Sequence, residues 1–323
     1  MAYQNVGTPR FYVNIPEWLA STGAVIDPVF RTLPVSASTI TGMVGMAAPS
    51  FFVHEELKHF IAILGHSIAT NNDIWSLSTE IELDPGEGMS DVELGIDDII
   101  NVGYQANTPQ WYAPNYNGFT IGTVAAFGMA EVKFKTQTDQ DIGSVILGAY
   151  YDMPHSPDLK LTMTREMDGV KRIRTKGGAD LVGHKYTKPP AWGEAGAWEL
   201  YSGTPSNKAL SRSGRRVWDL SFSYLQDSDL FPVISSLHTY ESYNSDGELY
   251  TDPTDITILR DNTFYNQVIH KTNGGQLPFI FQPDRDNNNP DQFAICKLDM
   301  NSFKFEQVAK NIYNIKLKIR EVW

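Results

Sequence analysis

The stretch YNIKLKIREVW, residues 313–323, alternates apolar and polar side chains with a period of two. Because successive side chains of a β-strand point to opposite faces of the sheet, this pattern predicts a strand with one buried face. The stretch RRVWDLSFSYL, residues 215–225, has the same alternation. The positions that we expect to face the core in the two strands are Tyr313, Ile315, Leu317 and Ile319, and Trp218, Leu220, Phe222 and Tyr224.

Between these two stretches the chain predicts three more strands and one helix. The strands are LPFIF at 277–281, QFAICKL at 292–298 and FKFEQV at 303–308. A helix is predicted from about Asn262 to Lys271, because apolar residues there recur four positions apart. The chain's single cysteine, Cys296, lies within an apolar strand, and we expect a buried, inert thiol that forms no internal disulfide.

The N-terminal half shows the same mixture of signals. FYVNI, Phe11 to Ile15, predicts a strand, and PEWLAS predicts a short helix with Pro16 in its first turn. Strands are also predicted at 130–138 and 144–153, and a hairpin is predicted around Asp168-Gly169. Residues 37–49 are rich in Gly, Ala, Ser, Thr and Met, which is typical either of a flexible arm that packs on a neighbour or of an ordinary long loop.

Composition agrees with an all-β, β-dominated fold that contains few short helices. Aromatic residues make up 12 % of the 323 residues, and 25 Gly and 18 Pro predict frequent turns. The length suggests two or three domains. Residues 106–200 have the appearance of a separate β unit, and a polar linker at 201–213 follows it. The expected division is therefore 1–105, 106–207 and 208–323.

The net charge of −12 argues against a protein that wraps nucleic acid, because such proteins need a basic surface to release counterions. Two interpretations stay open: an acidic wall past which DNA moves without binding, or a surface charge that maintains solubility. The sequence has no apolar run long enough to span a bilayer and no signal-peptide pattern in residues 1–20. We expect no membrane insertion and no secretion.

Two motifs have some of the features of a metal site, but we expect no cofactor. In HEELKH, His54 and His59 are five residues apart, which places them about 140° apart on a helix and on opposite faces of a strand. Neither conformation brings the two side chains together on a metal ion, so we expect a solvated segment. The stretch from Asp284 to Gln292, and in particular Asp284 to Asp291, has the oxygen-rich alternation of a calcium loop. It lacks the Gly and the Glu that an EF-hand needs, so a plain turn is the alternative.

Aromatic residues of the middle segment form the candidate contact site for a glycan or a partner protein: Trp111, Tyr112, Tyr116, Trp192 and Trp198. A place in the core or in an interface is the interpretation that we favour for these side chains over sugar binding. Glu194 and Glu199 stand near two of the Trp residues, as the acids of glycosidases often do, but nothing raises hydrolysis above a minority interpretation. We expect no catalytic residue. Arg215 and Arg216 either contact an acidic neighbour or are solvated.

The C-terminal third resembles the distal tail and minor tail proteins of long-tailed bacteriophages. The resemblance covers roughly residues 208–323, with a weaker echo in GTPRFYVNIPEWL at 7–19. The shared features are an Arg-rich segment that leads into a W-x-L-x-F strand, a helix after this strand, and an alternating strand close to the C-terminal end. These are found in SGRRVWDLSFSYLQDSDLF, FYNQVIHKTNGG, LPFIFQPD, QFAICKLD and FKFEQVAKNIYNIKLKIREVW.

This resemblance implies a virion structural protein that is made in the host cytoplasm and forms a ring at the distal tail or baseplate. It implies a ring-forming β-barrel-like domain, built from 1–105 and 208–323, and an inserted β-sandwich at 106–207. It also implies a homo-oligomer, a hexamer or a trimer, that contacts tube, hub, fibre or receptor-binding proteins and lets DNA pass without specific binding. The alternative is a glycan-binding adhesion module of a tail tip.

Overall fold

The structure is a computed structural model that describes residues 5–32, 38–51, 59–66, 80–84, 92–94, 99–100, 118–124, 129–166, 170–184, 215–233, 242–243, 249–250, 261–288 and 292–322. Strands predominate in it, which confirms the predicted β-dominated class. No helix in the described ranges is long and apolar enough to cross a membrane.

In chain order the strands are β1 (Arg10–Val13), β2 (Ser38–Phe51), β3 (His59–His66), β4 (Glu80–Asp84), β5 (Val92–Leu94), β6 (Ile99–Ile100), β7 (Gly118–Val124), β8 (Met129–Ile142), β9 (Ser144–Asp152), β10 (Thr162–Glu166), β11 (Val170–Arg174), β12 (Asp180–His184), β13 (Arg215–Gln226), β14 (Ser242–Tyr243), β15 (Leu249–Tyr250), β16 (Phe279–Gln282), β17 (Ala294–Leu298), β18 (Phe305–Ala309) and β19 (Ile312–Glu321). Helical segments are short: α1 (Ile15–Ser21), a 3₁₀ turn (Pro28–Phe30), α2 (Asp227–Leu230) and a π-helical segment (Tyr265–His270).

Eleven strands form one large antiparallel sheet. Its hydrogen-bonded order is β10-β13-β19-β17-β16-β1-β9-β3-β7-β6, and β18 pairs with β19. A second sheet has the order β2-β8-β4-β5, and two further strand pairs, β11-β12 and β14-β15, complete the described strands. The described part of the large sheet is open, because its end strands β10 and β6 do not pair with each other.

The large sheet takes strands from all three predicted segments of the chain. Strands β1, β3 and β6 come from residues 1–105, β7, β9 and β10 from 106–207, and β13 and β16 to β19 from 208–323. The predicted boundaries therefore do not separate sheets among the described strands. The division into three domains, and with it a sandwich at 106–207, stays a prediction.

The core is aromatic and surrounds the short strand β1. The Phe11 ring lies 5.2 Å from that of Phe281 and 5.7 Å from that of Phe264, and the Trp218 ring lies 5.2 Å from that of Phe281. Phe11, Tyr12 and Val13 are all buried, because β1 lies between β16 and β9 in the middle of the sheet. The N-terminal strand is thus a central element of the core.

The strand β13 follows the predicted alternation only as far as Phe222. Trp218, Leu220 and Phe222 are buried, but Tyr224 is 75 % exposed and Leu225 is buried in its place. The register against β19 shifts between Phe222 and Leu225, and Tyr224 adopts a positive φ of 63°. A β-bulge adds one residue to one strand of a pair, so it reverses the faces of all residues that follow.

The helix predicted at 262–271 is present, but it is wound as a π-helix over Tyr265–His270. Phe264, Val268 and Ile269 are buried as the apolar periodicity predicts. Asn266 and Gln267 are buried as well, and both side-chain amides donate to the backbone carbonyl of Asp261 at 3.1 Å and 2.9 Å. This segment therefore buries polar as well as apolar side chains.

Two further sequence predictions are wrong. Residues 38–51, which overlap the segment 37–49 interpreted as an arm or loop, form the 14-residue strand β2, which pairs with β8 from Ser38 to Phe51. Small residues give no periodic signal, but their backbone groups pair with a long partner strand just as well.

The second error concerns the hairpin predicted around Asp168-Gly169. These two residues lie outside the described residues, but the strands on both sides of them are described. Strand β10 pairs with β13, and β11 pairs with β12, so the two flanking strands do not pair with each other.

Candidate functional site

The aromatic residues predicted to contact a glycan or partner, Trp111, Tyr112, Tyr116, Trp192 and Trp198, lie outside the described residues. Glu194 and Glu199 also lie outside them. The glycan-binding and hydrolytic interpretations therefore stay predictions. Four features of the described residues are candidates for a site. They are the turn at 284–288, the buried bases His59 and Lys271, the buried ion pair of Arg216 with Glu321, and the exposed hairpin at 170–184.

The described half of the predicted calcium loop is a hydrogen-bonded turn. The backbone N–H of Asp286 donates to Oδ1 of Asp284 at 3.2 Å, and the backbone N–H of Asn287 donates to the carbonyl of Asp284 at 3.0 Å. The Gln282 side chain donates to the carbonyl of Asn287 and to Oδ1 of Asn288 at 3.0 Å and 3.2 Å. These bonds are those of a plain turn. Among the described residues no group of three or more His, Cys, Asp or Glu is placed to hold a metal ion.

His59, from the HEELKH motif, is buried on β3, so the expectation of a solvated segment is wrong at this residue. His54 lies outside the described residues. Both ring nitrogens of His59 are buried without a hydrogen-bond partner. Burial, together with the nearby charge of Lys271, lowers the pKa of His59 to about 3. The imidazole is therefore neutral at physiological pH.

Lys271, at the end of the π-helical segment, is the basic residue that the sequence reasoning missed. Its side chain is buried, and its Nζ donates to Oε1 of Gln267 at 2.7 Å. Burial lowers the pKa of Lys271 to about 7. A neutral amine is a nucleophile, but Lys271 is only 4 % exposed, so a substrate has no access to it in this conformation. The sequence feature that could have identified Lys271 is its position directly after the apolar stripe of the predicted helix.

The Arg pair at the start of β13 is only partly what the sequence predicts. Arg216 is neither solvated nor available to a neighbour, because its guanidinium is buried against Glu321 of β19. Nη2 of Arg216 donates to Oε1 of Glu321 at 3.0 Å and to the carbonyl of Phe293 at 2.8 Å, and Nε donates to Oε2 of Glu321 at 3.1 Å. This bidentate pair joins β13 to the last strand.

Cys296 is buried, as predicted. Burial and the negative charge of Glu321 raise the pKa of the thiol well above its usual range. Because the thiolate is the reactive form of cysteine, this side chain is chemically inert in the folded protein.

The hairpin β11-β12 is exposed to solvent on both faces. Ile173 is 61 % exposed, and Leu181, its direct cross-strand neighbour, is 58 % exposed. Val182 is 52 % exposed and stands opposite Arg172. The hairpin residues 170–184 also hold four basic residues and one acidic residue, Asp180. Grouped exposed apolar side chains with flanking charges are typical of a contact surface.

The described sheets also end in strands with one unpaired edge. Among the described strands, the four-stranded sheet ends at β2 and β5 and the large sheet at β10 and β6. The edge of a sheet presents backbone N–H and C=O groups that can pair with another chain. The described sheets therefore offer edges to which another chain can pair.

Comparisons of the chain with models of protein families, with curated proteins and with solved structures give no match.

Proposed function

We propose that this protein is a structural component of a bacteriophage tail, and that it forms an oligomeric ring at the distal tail or baseplate. In this position it joins the tail tube to the parts that recognise the host. The proposal starts from the resemblance of residues 208–323 and 7–19 to distal and minor tail proteins, and it assigns a structural rather than a catalytic role.

The observation that supports the proposal is the pairing of the two segments that carry the resemblance. Strand β1, from the segment 7–19, pairs with β16, from the C-terminal third, over four residue pairs from Arg10↔Gln282 to Val13↔Phe279. The Tyr12 hydroxyl donates to Oε1 of Gln282 at 2.8 Å. A ring-forming unit built from both ends of the chain requires this connection.

Arg10 of β1 contacts β9, the strand on the side of β1 opposite to β16. Its guanidinium forms an ion pair with Asp152 of β9 at 2.5 Å and lies 4.3 Å from the centroid of the Tyr150 ring. Arg285, which follows β16, reaches the same Asp152 at 3.6 Å. The carboxylate thus connects the strands on both sides of β1, which supports a rigid scaffold in this part of the protein.

The proposed partners are further copies of this chain, six or three, together with other tail proteins. Open sheet edges provide surfaces for such contacts. A net charge of −12 suits a ring through which DNA passes without specific binding. The proposed location is the virion, with synthesis in the cytoplasm of the host.

The test is to locate the protein in tailed virions encoded by the same genome. We expect mass spectrometry of purified, nuclease-treated particles to detect the chain, and gold-labelled antibodies to mark the end of the tail in electron micrographs. Labelling of the tail tip upholds the proposal, and labelling along the whole tube contradicts the distal position. If the chain is missing from the particles, the proposal is wrong.

A further inference from the structure

We propose that the exposed hairpin at 170–184 binds the phosphate backbone of duplex DNA without preference for a base sequence. The side chains that make this contact are Arg172, Arg174 and Lys176. The inference deepens the proposed function, and only the identity of the ligand as DNA that passes through a tail rests on that function. The contact itself is argued from the exposure, the charge and the strand register of the hairpin.

The hairpin is accessible from both of its faces. None of the residues 171–183 is buried, and the side chain of Arg172 is 71 % exposed. Among the described strands, β11 and β12 pair only with each other. A strand of five residues is about 17 Å long, and charges more than about 10 Å apart are largely screened at about 0.1 M salt. Acidic residues that lie further than this from the turn therefore repel a ligand bound there only weakly.

The charge of the hairpin is opposite to that of the chain as a whole. Residues 170–184 contain four basic residues and one acidic residue, which gives a net charge of +3. The whole chain carries −12, so the residues outside the hairpin together carry −15. Cations that neutralise DNA phosphates release counterions, and this supplies affinity for a duplex of any sequence. A compact basic segment on an acidic protein therefore confines the contact with DNA to the hairpin.

The strand register separates the arginines from the apolar pair. Arg172 and Arg174 lie two positions apart on β11 and hence on one face. Ile173 lies between them and faces the other side, together with its cross-strand neighbour Leu181. The guanidinium group of arginine forms paired hydrogen bonds with a phosphate group. The arginine face, defined by Arg172 and Arg174, is thus suited to a phosphate backbone.

Asp180 competes with a phosphate group for this arginine face. Its cross-strand neighbour is Arg174, and its Oδ2 lies 3.8 Å from Nε of Arg172. The side chains of Arg172 and Asp180 are 71 % and 51 % exposed, so solvent screens this ion pair. A phosphate group can therefore displace the carboxylate, and removal of the carboxylate should strengthen the binding of DNA.

The turn between the two strands leaves room for a ligand beside Lys176. The backbone N–H of Thr175 donates to the carbonyl of Ala179 at 2.9 Å, and that of Gly178 donates to the carbonyl of Thr175 at 3.0 Å, so the turn has a defined shape. Apart from the chain neighbours of Gly178, no atom lies within 4 Å of the position that a Cβ would occupy there. The exposed Lys176 extends the basic surface beyond the ends of the strands.

Duplex DNA suits this surface better than a second copy of the chain does. Neighbouring strands are about 4.8 Å apart, and the major groove of DNA, about 12 Å wide, admits a two-stranded ribbon. A protein partner would gain most by covering Ile173 and Leu181, which lie on the face away from the arginines. The two occupants require different faces, so variants that change one face at a time distinguish them.

The experiment measures the binding of the full-length chain to short fluorescent DNA duplexes of two unrelated sequences by fluorescence anisotropy. We expect the affinities for the two duplexes to agree within about twofold, because phosphate contacts carry no sequence information. Three neutralised phosphates predict that the affinity falls about fortyfold between about 50 mM and about 200 mM salt.

The main variant changes the arginine face. Arg172→Glu with Arg174→Glu should weaken binding more than about tenfold at about 50 mM salt and reduce its salt dependence, because only Lys176 remains. The matched control is Lys304→Glu with Lys310→Glu, which changes the net charge by the same amount at two exposed positions elsewhere. It should bind DNA within about threefold of the unmodified chain, because charges at a distance are screened.

Two further variants test the opposite face and the ion pair. Ile173→Ser with Leu181→Ser should leave the affinity for DNA within about twofold, because these side chains make no phosphate contact. Asp180→Asn should strengthen binding severalfold, because it removes the competing carboxylate. A gain in affinity cannot come from a damaged fold, so Asp180→Asn is informative even if another variant unfolds. Thermal unfolding should show that all variants remain folded.

The inference is overturned if the unmodified chain does not bind duplex DNA at about 50 mM salt, if the arginine variant binds as tightly as its control, or if Asp180→Asn weakens binding. It is also overturned if Ile173→Ser with Leu181→Ser abolishes DNA binding. The same holds if the arginine variant loses only self-association in native mass spectrometry, which would make the hairpin a contact between proteins. DNA binding by a protein that is missing from virions upholds the inference and removes the proposed function. A protein of the tail end that does not bind DNA does the reverse.

Discussion

His59 and Lys271 place two basic side chains inside the apolar part of the fold. Burial of a base favours its neutral form, so the unfolded chain binds protons more readily than the folded one. The pKa of His59 falls from an ordinary value of 6.5 to about 3, and that of Lys271 from 10.5 to about 7. For each group, the folded protein therefore loses stability as the pH falls from the unfolded pKa to the folded pKa.

We predict that the free energy of unfolding rises with pH in two steps. His59 produces the step between pH 3 and 6.5 and Lys271 the step between pH 7 and 10.5, each on the order of 4 kcal/mol. Urea unfolding measured from pH 4 to 10 provides the test. His59→Leu should remove the acid step and Lys271→Met the alkaline one, whereas His155→Gln should keep both. If either His59→Leu or Lys271→Met keeps both steps, the assignment of that step to that residue is wrong.

The ion pair of Arg216 with Glu321 is also buried, with both side chains 7 % exposed. We predict that Glu321→Gln costs about 3 kcal/mol of stability, because it leaves a buried guanidinium without its counter-charge. The exposed pair of Lys318 with Asp299, at 2.9 Å, is the control, and Asp299→Asn should cost much less, because solvent screens an exposed pair. Equal effects in chemical denaturation would show that the buried pair contributes no more than a surface pair.

At the scale of the element, strand β13 shows how one bulge changes a prediction. Period two assigns Tyr224 to the core, yet its side chain faces solvent and its backbone N–H donates to Oδ1 of Asn314 at 3.0 Å. The asparagine of β19 thus binds the backbone group that the bulge displaces. The strand ends with Leu225 in the core, followed directly by the short helix α2.

We predict that Leu225→Ala costs about 3 kcal/mol, because it leaves a cavity in a packed core. Tyr224→Ala should change the free energy of unfolding by about 1 kcal/mol or less, as substitutions at exposed positions do. The pair of variants forms its own control, since the two residues are adjacent in one strand. Midpoints of urea unfolding measure both effects, and the opposite order of the two costs would show that the alternation continues without a bulge.

At the scale of the whole molecule, the first described strand holds the large sheet together. Strand β1 has only four residues, but it connects β16 of the C-terminal third to β9 of the middle segment. Beyond β9 the order continues through β3, β7 and β6. The two halves of the large sheet therefore meet at β1, and no other described strand joins them.

We predict that removal of residues 1–13 abolishes cooperative thermal unfolding. The loss of the Phe11 side chain alone is expected to cost about 3–5 kcal/mol, which is a large part of the stability of a typical domain, about 5–15 kcal/mol. The control replaces residues 170–184 by a short Gly-Ser linker, and it should melt within a few degrees of the unmodified chain, because the hairpin is exposed on both faces. A cooperative transition in the truncated chain would contradict the central role of β1.

The strongest periodic signals were sufficient to predict the nature of several elements. Strand β19 follows from its alternation, β9 from an apolar run of strand length, and helix α1 from PEWLAS with Pro16 in its first turn, and the structure confirms all three. It also confirms the burial of Cys296. These patterns are reliable because the period of buried side chains depends only on backbone geometry. Where side chains are small, as in β2, the signal is missing even though the strand is long.

Local sequence patterns are sufficient to predict the β-dominated class and the inward faces of the most regular strands. The pairing of the strands, the bulge in β13 and the burial of Lys271 and Arg216 become visible only in the folded chain. The physical reason is the range of each effect. Alternation is read from neighbouring residues, whereas pairing, register and the burial of a charge depend on segments that lie far apart in the chain and meet only in the fold.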